Sequence, residues 1–515
     1  MAGAEVQDGV LAENRHLITL GIILSTFMSA IDTTVANIAL PHIQGGLSAS
    51  PEQITWVITS YIVATAVTIP VSGWLAARFG IKPMLLASIV GFTATSILCG
   101  VATSLPELVV FRLLQGVAAA PMMPMTQTVL FNINPPERYG RAMALFTMAA
   151  VVAPAVGPIV GGYLTEDLSW RWCFYINVPV GIASVVLITL FLPLDQPQPR
   201  RFDFLGFGSL AVAIGSFQLM LDRGTTLDWF SSTEICAEAA IAAMAFWIFL
   251  THSLTSPQPL FPHSMARDRN YVTSIVFGFI FAVLTFSSFT LLPLMMQGLL
   301  GYSVIHAGVL SMPRGVVMFI ILQFMGRVDA IVDRRVLVAI GLSFFVAAFW
   351  EMSGFNLAMS GEPIVVASML QGVGQGILFV PLSTLGFATI APELRPDASA
   401  LSNLARSVGG SVGVASIQAI TAVNSQVVHS TLAANITPID MLRSFSLPEF
   451  LSPDTAAGAI ALDAEVARQA LMVAYVDDFW LMTLLGAACI PLVLLMRLPR
   501  KGPSGSDGVV MPDVH

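Results

Sequence analysis

Residues 17–40 read LITLGIILSTFMSAIDTTVANIAL, a run of apolar and small polar residues with Asp32 as its single charged side chain. About 20 such residues, folded as a helix, cross the roughly 30 Å hydrocarbon core of a bilayer. The stretch therefore predicts a membrane-spanning helix. A carboxylate within such a span costs about 2.5–3.5 kcal/mol on insertion scales, so Asp32 is expected to have a structural or functional partner.

The rest of the chain repeats this apolar pattern. Of 515 residues, 56% are hydrophobic and 10% are charged, whereas soluble domains carry about 25% charged residues. The apolar runs predict an all-α polytopic membrane protein with about fourteen spans. We place them at 17–40, 54–76, 84–104, 107–131, 139–163, 172–194, 204–221, 234–253, 271–297, 306–326, 336–357, 363–389, 398–423 and 471–496. No cleavable signal peptide is expected, because the start is acidic and the first apolar run is long.

The basic residues predict the orientation of the spans. With both termini in the cytoplasm, sixteen of them fall in cytoplasmic segments: Arg15, Arg78, Lys82, Arg138, Arg141, Arg200, Arg201, Arg267, Arg269, Arg327, Arg334, Arg335, Arg395, Arg497, Arg500 and Lys501. Four fall in outer segments: Arg171, Arg223, Arg443 and Arg468. This is a strong positive-inside bias. The net charge of −8 says little about partners, and nucleic acid is not expected as one. The four cysteines are predicted to be small buried residues rather than disulfides or metal ligands.

An internal repeat divides the chain into two halves. RLLQGVAAAPMMP at 112–124 has a counterpart in SMLQGVGQGILFVP at 368–381, and the landmark pairs Gly116/Gly372, Pro136/Pro392 and Gly157/Gly413 all differ by 256 positions. Secondary transporters use such repeats to build a site between two bundles. The predicted organisation is a cytoplasmic tail (1–16), a six-helix bundle (17–194), two inserted spans with linkers (195–270), a second six-helix bundle (271–497) with a long outer loop (424–470), and a cytoplasmic tail (498–515).

Several motifs, in order along the chain, resemble those of one transporter family. They are DTTVANIALP at 32–41, RLLQG at 112–116, GPIVGG at 157–162, WRW at 170–172 with INVP at 176–179, and LDRG at 221–224 with LDWFSS at 227–232. Together they resemble the fourteen-span drug:proton antiporters of the major facilitator superfamily, the EmrB/QacA type, and the EmrB branch in particular. The resemblance covers about 15–500 of the chain and implies the major facilitator fold, with two six-helix bundles plus two extra spans.

Asp32 and Arg112 are the predicted proton-coupling residues. Ser25, Ser29, Asp32 and Ala36 form one helical stripe, which should face the bundle interior. Burial favours a neutral carboxyl and a nearby cation favours a charged one, so a conformational change can load or release a proton. The alternative for Asp32 is a purely structural carboxylate in a hydrogen-bond network. The alternative for Arg112 is a snorkelling position near the outer interface. The resemblance implies a role of Arg112 in proton coupling.

The fifth span carries small residues at every fourth position, Ala149, Ala153, Gly157 and Gly161, which let two helix backbones approach closely. The resemblance implies that this span seals the two halves. Its predicted packing motif is Pro154, Gly157, Pro158, Gly161 and Gly162.

The loop after the second span resembles the cytoplasmic gate motif of the superfamily. Its predicted gate residues are Gly73, Arg78, Gly80 and Lys82. The motif usually has an aspartate where this chain has Ala77, so the latching carboxylate is missing. Part of it is expected from segments 326–329 and 333–335 of the other half.

Other polar residues in the spans are candidates for lining a central cavity. They are Gln115, Gln127, Arg314, Gln371, Gln375 and Arg406, and the two arginines fit positions near helix ends as well. Methionines at 122, 123, 125, 295 and 296 and phenylalanines at 279, 281, 286 and 289 fit either an adaptable drug pocket or ordinary packing.

An ATP-driven pump and a membrane hydrolase both fit the sequence poorly. A phosphate loop needs Gly-Lys followed by Ser or Thr, but the lysines here precede Pro83 and Gly502. The G-x-S-x-G string at 409–413 lies in an apolar helical run, whereas a hydrolase needs it on a strand-to-helix elbow. No HExxH or metal-spaced Cys/His set occurs, so no metal site is predicted.

The expectation is therefore a transporter of the bacterial inner membrane that needs no cofactor and uses the proton gradient to export hydrophobic or amphipathic compounds. An exporter dedicated to a fatty acid or another natural amphiphile, or an importer of the same fold, is the alternative, and the motif at Gly157 favours export. Beyond the lipid bilayer and small hydrophobic substrates, the resemblance implies a periplasmic adaptor of the EmrA type and an outer-membrane channel of the TolC type as partners.

Overall fold

A computed structural model describes residues 2–135, 138–195, 197, 200–435 and 455–495. The predicted C-terminal tail (498–515) and the middle of the predicted outer loop (436–454), with Arg443, lie outside the described residues. So do the side chains of residues 2–13, Pro154 and Pro158. The described residues are mostly helical and contain no strand.

Eighteen α-helices are described, numbered here in chain order. They are α1 (Ala2–Leu47), α2 (Pro51–Ile54), α3 (Trp56–Phe79), α4 (Ile81–Val101), α5 (Leu105–Ala119), α6 (Met122–Ile133), α7 (Tyr139–Tyr163), α8 (Trp172–Tyr175), α9 (Asn177–Phe191), α10 (Phe204–Arg223), α11 (Thr233–Thr255), α12 (His263–Arg267), α13 (Arg269–Gly298), α14 (Val304–Ile331), α15 (Arg334–Met352), α16 (Glu362–Phe387), α17 (Arg395–Ala434) and α18 (Ala456–Cys489).

Twelve of the described helical stretches are long and apolar enough to cross a membrane. The two other predicted spans, 139–163 and 398–423, fold as α7 and within α17. The fourth span is divided in two at Pro121, which stands between α5 and α6, because proline lacks the N–H of a helical hydrogen bond and its ring clashes with the preceding turn. The polar stretch 424–470 is helical at both ends, since α17 runs to Ala434 and α18 begins at Ala456.

The two halves repeat the same packing. In the first half α1 packs on α7, α3 on α5, and α4 on α5 and α9. In the second half α13 packs on α17, α14 on α16, and α15 on α16 and α18, which are the equivalent pairs. The fold is therefore that of two related six-helix bundles, as the 256-residue offset predicted.

The inserted pair lies beside both bundles. Helix α10 packs on α3, on α17 and on its neighbour α11. Thr59 of α3 donates a hydrogen bond to the carboxylate of Asp222 at the end of α10. Helix α11 is largely exposed although it is apolar, with Met244 and Trp247 each 66% exposed. Such a surface is stable in lipid and not in water.

The cysteines and methionines partly follow the sequence predictions. Cys99, Cys173 and Cys489 are buried free thiols, as expected, but Cys236 is exposed because it lies on α11, the least buried span. Met122, Met125, Met295 and Met296 are fully buried and pack within the bundle cores, so they are packing residues in this conformation.

Candidate functional site

Asp32 and Arg112 form a buried ion pair within the first bundle. Nη1 of Arg112 lies 2.7 Å from Oδ2 of Asp32, and the two side chains are fully enclosed. The predicted stripe of α1 is confirmed, because Ser25, Ser29 and Ala36 are buried together with Asp32. Arg112 is therefore inside the bundle, and the snorkelling alternative for it is wrong.

Two amides complete the surroundings of the carboxylate. Oδ1 of Asp32 accepts hydrogen bonds from Nε2 of Gln115 at 3.1 Å and from Nδ2 of Asn177 at 2.8 Å. Oε1 of Gln115 accepts in turn from Nη1 of Arg112 at 2.8 Å. Charge-assisted bonds of this kind are about twice as strong as neutral ones, and together they offset the cost of burying the carboxylate.

The guanidinium of Arg112 also makes contacts that do not involve Asp32. Its Nε donates to the carbonyl of Val57 at 3.2 Å, and its Cζ lies 4.2 Å from the ring centroid of Tyr61. Its Nη2 is buried and has no hydrogen-bond partner among the described residues. The cation is thus held in place by groups other than the carboxylate as well.

Sequence reasoning did not assign Asn177 to this site. The residue belongs to the INVP string at 176–179, which contributed to the family resemblance but not to the predicted site. It is buried at the start of α9, and its Nδ2 also lies 3.0 Å from the hydroxyl of Ser96. The signal that could have found it is an amide inside an apolar span, which needs a partner for the same reason as Asp32 does.

The small residues of α7 make close contact with α1. An added Cβ at Gly157 would lie 2.0 Å from Oγ1 of Thr34, and one at Gly161 would lie 3.3 Å from Cβ of Ile38. Gly162, also expected in the packing motif, differs, because a Cβ there would meet no atom within 4 Å. The contact thus depends on Gly157 and Gly161, and it joins the helix of Asp32 to the helix that meets the second half.

The halves touch at the end of the molecule that carries the predicted cytoplasmic loops, which we call the basic end. Gly73 packs so closely that a Cβ would lie 2.3 Å from Oδ1 of Asp397 on α17. A Cβ at Gly326 of α14 would lie 3.0 Å from the backbone of Arg141 on α7. In this conformation the halves are therefore in contact at the basic end.

The remaining gate residues lie at the turn between α3 and α4. Gly80 has φ +92°, a conformation that favours glycine. The carboxylate of Asp195 accepts from the backbone N–H of Ile81 at 2.6 Å, and Nζ of Lys82 donates to the carbonyl of Thr189 at 2.9 Å. Arg78 is exposed. This turn is fixed to the end of α9 and the linker that follows it, not to the second half.

A substitute for the missing latch carboxylate was expected from segments 326–329 and 333–335. The carboxylate found at the contact between the halves is that of Asp329. Its Oδ1 accepts from Nε of Arg334 at 3.2 Å and from the hydroxyl of Thr384 at 3.3 Å, within the second half. Its Oδ2 lies 3.4 Å from the position of an added Cβ at Gly140 of α7. The carboxylate therefore stands at the contact between the halves.

The other cavity candidates fall into two groups, both apart from the Asp32 pair. Gln127 of α6 accepts a hydrogen bond from Nδ2 of Asn403 at 3.2 Å, which is a contact between the halves. Arg406 donates to Oδ1 of Asn403 at 2.9 Å and lines a small pocket beside Phe379. The second group, Arg314, Gln371 and Gln375, is buried where α14 packs on α16.

The structure gives no support to a hydrolase or a metal enzyme in its described part. The string 409–413 lies inside α17, where Gly409 and Gly413 allow close packing on Phe279 and Val283 of α13. The described residues hold no group of His, Cys, Asp and Glu side chains that could bind a metal ion.

Comparisons with known proteins agree with this fold and these motifs. Residues 22–414 match the family model described as the Major Facilitator Superfamily. The chain is 34% identical over 499 residues to the Multidrug export protein EmrB of Escherichia coli K12, which covers 96% of this chain and 97% of that protein. It is 33% identical to the Fatty acid resistance protein FarB of Neisseria gonorrhoeae, with 95% and 97% covered.

A solved structure of the proton:xylose symporter XylE has a similar fold. Its TM-score is 0.57 at 14% sequence identity, and the match covers 93% of this chain and 96% of that one. At this identity the similarity concerns the fold alone.

Proposed function

The chain belongs to the major facilitator superfamily of membrane transporters, and on that premise we propose that it is a proton-coupled exporter of hydrophobic or amphipathic toxic compounds. The observation that carries the proposal is the fully buried pair of Asp32 and Arg112. A titratable carboxylate inside a transporter bundle, with a cation as its partner, is suited to carrying a proton. Relatives named as multidrug export proteins support the class of substrate.

In the proposed cycle Asp32 is charged while Arg112 and the two amides are its partners. Protonation removes the charge, and the ion pair with Arg112 is lost. The change is passed on through α1, where Thr34 packs against Gly157 of α7. Helix α7 in turn packs on α14 of the second half. Proton binding thereby biases the contact between the halves, which is the physical requirement for coupling.

The proposed location is the bacterial inner membrane, with multiple spans and both termini in the cytoplasm. The proton gradient supplies the energy, and no cofactor is required. Resemblance to the EmrB branch supports assembly with an EmrA-type periplasmic adaptor and a TolC-type outer-membrane channel. A transporter dedicated to natural amphiphiles is the second candidate, and the relative named as a fatty acid resistance protein favours it.

The test of this function is substrate-induced proton release. Purified protein is reconstituted in vesicles of known orientation, and wild type is compared with Asp32→Asn, which mimics the protonated carboxyl. We expect the variant to insert and to bind substrate but to show neither proton release nor proton-driven export. Undiminished release and export in Asp32→Asn would show that this carboxylate is not the carrier and that its role is structural.

A further inference from the structure

The second bundle contains a counterpart of the Asp32 site that lacks the acid. Gln371 is the repeat equivalent of Gln115, and Ser288 is the equivalent of Asp32, each 256 positions later. Nε2 of Gln371 lies 2.7 Å from the hydroxyl of Ser288, as Gln115 contacts Asp32 in the first bundle. The second bundle thus keeps the amide of the site and replaces the carboxylate by a hydroxyl.

A guanidinium is present in this counterpart, although it comes from another helix. Nη1 of Arg314, on α14, donates to Oε1 of Gln371 at 3.0 Å, just as Arg112 donates to Gln115 at 2.8 Å. Arg314 is only 7% exposed. Among the described residues Arg314 forms no ion pair. Its guanidinium has a hydrogen bond from Nη1 to Gln371, and Nε and Nη2 have no described hydrogen-bond partner. Burying such a cation without an anion is costly.

Further polar groups near Arg314 are buried without partners. Ser311 and Ser368 lie one helical turn before Arg314 and Gln371 on the two packed helices, and their hydroxyls have no hydrogen bond among the described residues. Gln375, one turn after Gln371, is 1% exposed, and both polar atoms of its amide have no described partner. Buried polar groups are normally paired, so this set points to a ligand.

The position of the site suits a substrate. Arg314 and Ser311 lie on the same stripe of α14 as Met318 and Leu322, which pack in one cluster with Ala144 of the first half. That stripe therefore faces the junction of the halves, with Arg314 on the side away from the basic end. The Cζ of Arg314 lies 4.2 Å from the ring centroid of Phe289.

One of the two aromatic rings beside Arg314 is partly exposed on the surface of the molecule. Phe289 packs edge-on against Phe286, which is 48% exposed. A cation beside partly accessible rings provides a charged contact and an apolar contact at the same place.

We propose that Arg314 and Gln371, with the hydroxyls around them, bind the anionic head group of an amphipathic carboxylate, whose apolar body lies against Phe289 and Phe286. The first bundle offers a precedent, because there another guanidinium and amide, those of Arg112 and Gln115, bind the carboxylate of Asp32. The inference rests on the proposed function, since it names the head group of a transported amphiphile.

The experiment measures binding of three probes with the same chain and different head groups: dodecanoate, dodecylamine and dodecanol. Wild type and Arg314→Gln are reconstituted in nanodiscs of phosphatidylcholine, without a proton gradient. We expect Arg314→Gln to raise the Kd of dodecanoate at least about tenfold, because truncating one partner of a buried charge pair commonly has that effect or a larger one. The Kd of dodecanol should change little, and its retention shows that the variant is folded.

A second pair of variants at Ser288 tests whether an acid within the chain can take the place of the ligand. Ser288→Asp would place a carboxylate where Asp32 stands in the first bundle, and Ser288→Asn adds similar volume without charge. Dodecanoate should bind Ser288→Asp at least about tenfold more weakly than Ser288→Asn, because the internal carboxylate occupies Arg314. Equal affinities of these two variants would overturn the proposal.

The remaining outcomes separate the proposal from the function on which it rests. If wild type binds none of the three probes, both fail. If it binds dodecylamine and dodecanol, and Arg314→Gln changes all three affinities alike or none, the exporter stands and the anion site is wrong. A parallel set of nanodiscs contains phosphatidylglycerol; if this lipid blocks dodecanoate in wild type but not in Arg314→Gln, the occupant is a lipid and the substrate assignment is overturned.

Discussion

The Asp32 carboxylate is stable inside the bundle because three donors from two other helices surround it. Arg112 and Gln115 lie on α5 and Asn177 begins α9, whereas Asp32 itself is on α1. Each bond therefore also ties helices together. The charged members could be predicted from the sequence, because an isolated charge in an apolar run requires a partner. The neutral amide of Asn177 gives a weaker signal of the same kind, because the burial of an amide costs less than the burial of a charge.

Asn177 is expected to be a positioning residue for the proton carrier. Asn177→Ala removes the 2.8 Å bond to Asp32 and leaves the carboxylate with two donors. Loss of a hydrogen bond to a buried charged group costs about 1.5–3 kcal/mol. We expect the pH profile of export to be displaced and the rate at its optimum to fall, while the amount of protein in the membrane is kept.

Asn424 offers a matched control for this variant. Its Nδ2 donates to Asp477 at 2.8 Å, also an amide bonded to a carboxylate, but at an exposed position. Asn424→Ala should leave the pH profile in place. An identical profile in Asn177→Ala and wild type would mean that the amide has no part in coupling.

At the scale of helices, the spacing of small residues predicted a close contact of α7 but not its partner. The partner is Thr34 of α1, which only the three-dimensional arrangement shows. The repeat predicted the equivalent helix pairs correctly from α1–α7 to α13–α17, because the offset of 256 keeps these elements in register. Helix α18 is the equivalent of α9 by its packing but lies outside that offset, because residues 435–455 separate it from α17. Helix ends were predicted less well: α17 continues to Ala434, and in this extension Asn424 and His429 form hydrogen bonds to Asp477 and Asp463 of α18, which hydropathy does not detect.

Gly157→Ala is the test of the contact between α7 and α1. The added methyl would lie 2.0 Å from Oγ1 of Thr34, so one of the two helices must move. Overpacking of this kind costs about 1–3 kcal/mol in soluble cores. We expect export to fall while membrane insertion persists.

Gly162→Ala is the control, because its methyl would meet no atom within 4 Å. Both variants raise helix propensity equally, so a difference between them reports the contact alone. Export at the wild-type rate in Gly157→Ala would show that α1 and α7 are not held in contact during transport.

For the whole molecule, the first question is which end faces the cytoplasm. The basic residues predict that Arg201 and Arg267 are cytoplasmic and that Arg443, outside the described residues, is on the other side. Fusions of a reporter at these three positions should give cytoplasmic activity at the first two only. A cytoplasmic signal at Arg443 would contradict the arrangement of fourteen spans.

The second question at this scale is what holds the halves together at the basic end, given that Ala77 stands where a latching aspartate is usual. The structure shows a different latch: Nη1 and Nη2 of Arg200, in the linker, lie 2.7 and 3.2 Å from the two carboxylate oxygens of Asp397. Nη2 also donates to the carbonyl of Leu260 at 3.0 Å. Asp397 packs directly on Gly73, so the linker arginine stabilises the point where the two bundles meet.

Arg200→Ala should therefore weaken the closed basic end. Without Arg200 the buried carboxylate of Asp397 has lost its counter-ion, a loss that opening to water relieves, so the open conformation gains population. A partly exposed pair of this kind contributes about 1 kcal/mol, which corresponds to a shift of roughly fivefold in the ratio of open to closed conformations.

The measurement is the labelling rate of Ser399→Cys, a fully buried position on α17, by an impermeant thiol reagent applied from the basic side. Labelling of the same protein without that substitution is subtracted. Arg201→Ala, which removes the exposed neighbouring arginine, is the matched control and should label at the original rate. Equal rates in Arg200→Ala and Arg201→Ala would show that the linker does not latch the halves, and contacts such as Gly326 against Arg141 would have to hold the basic end closed.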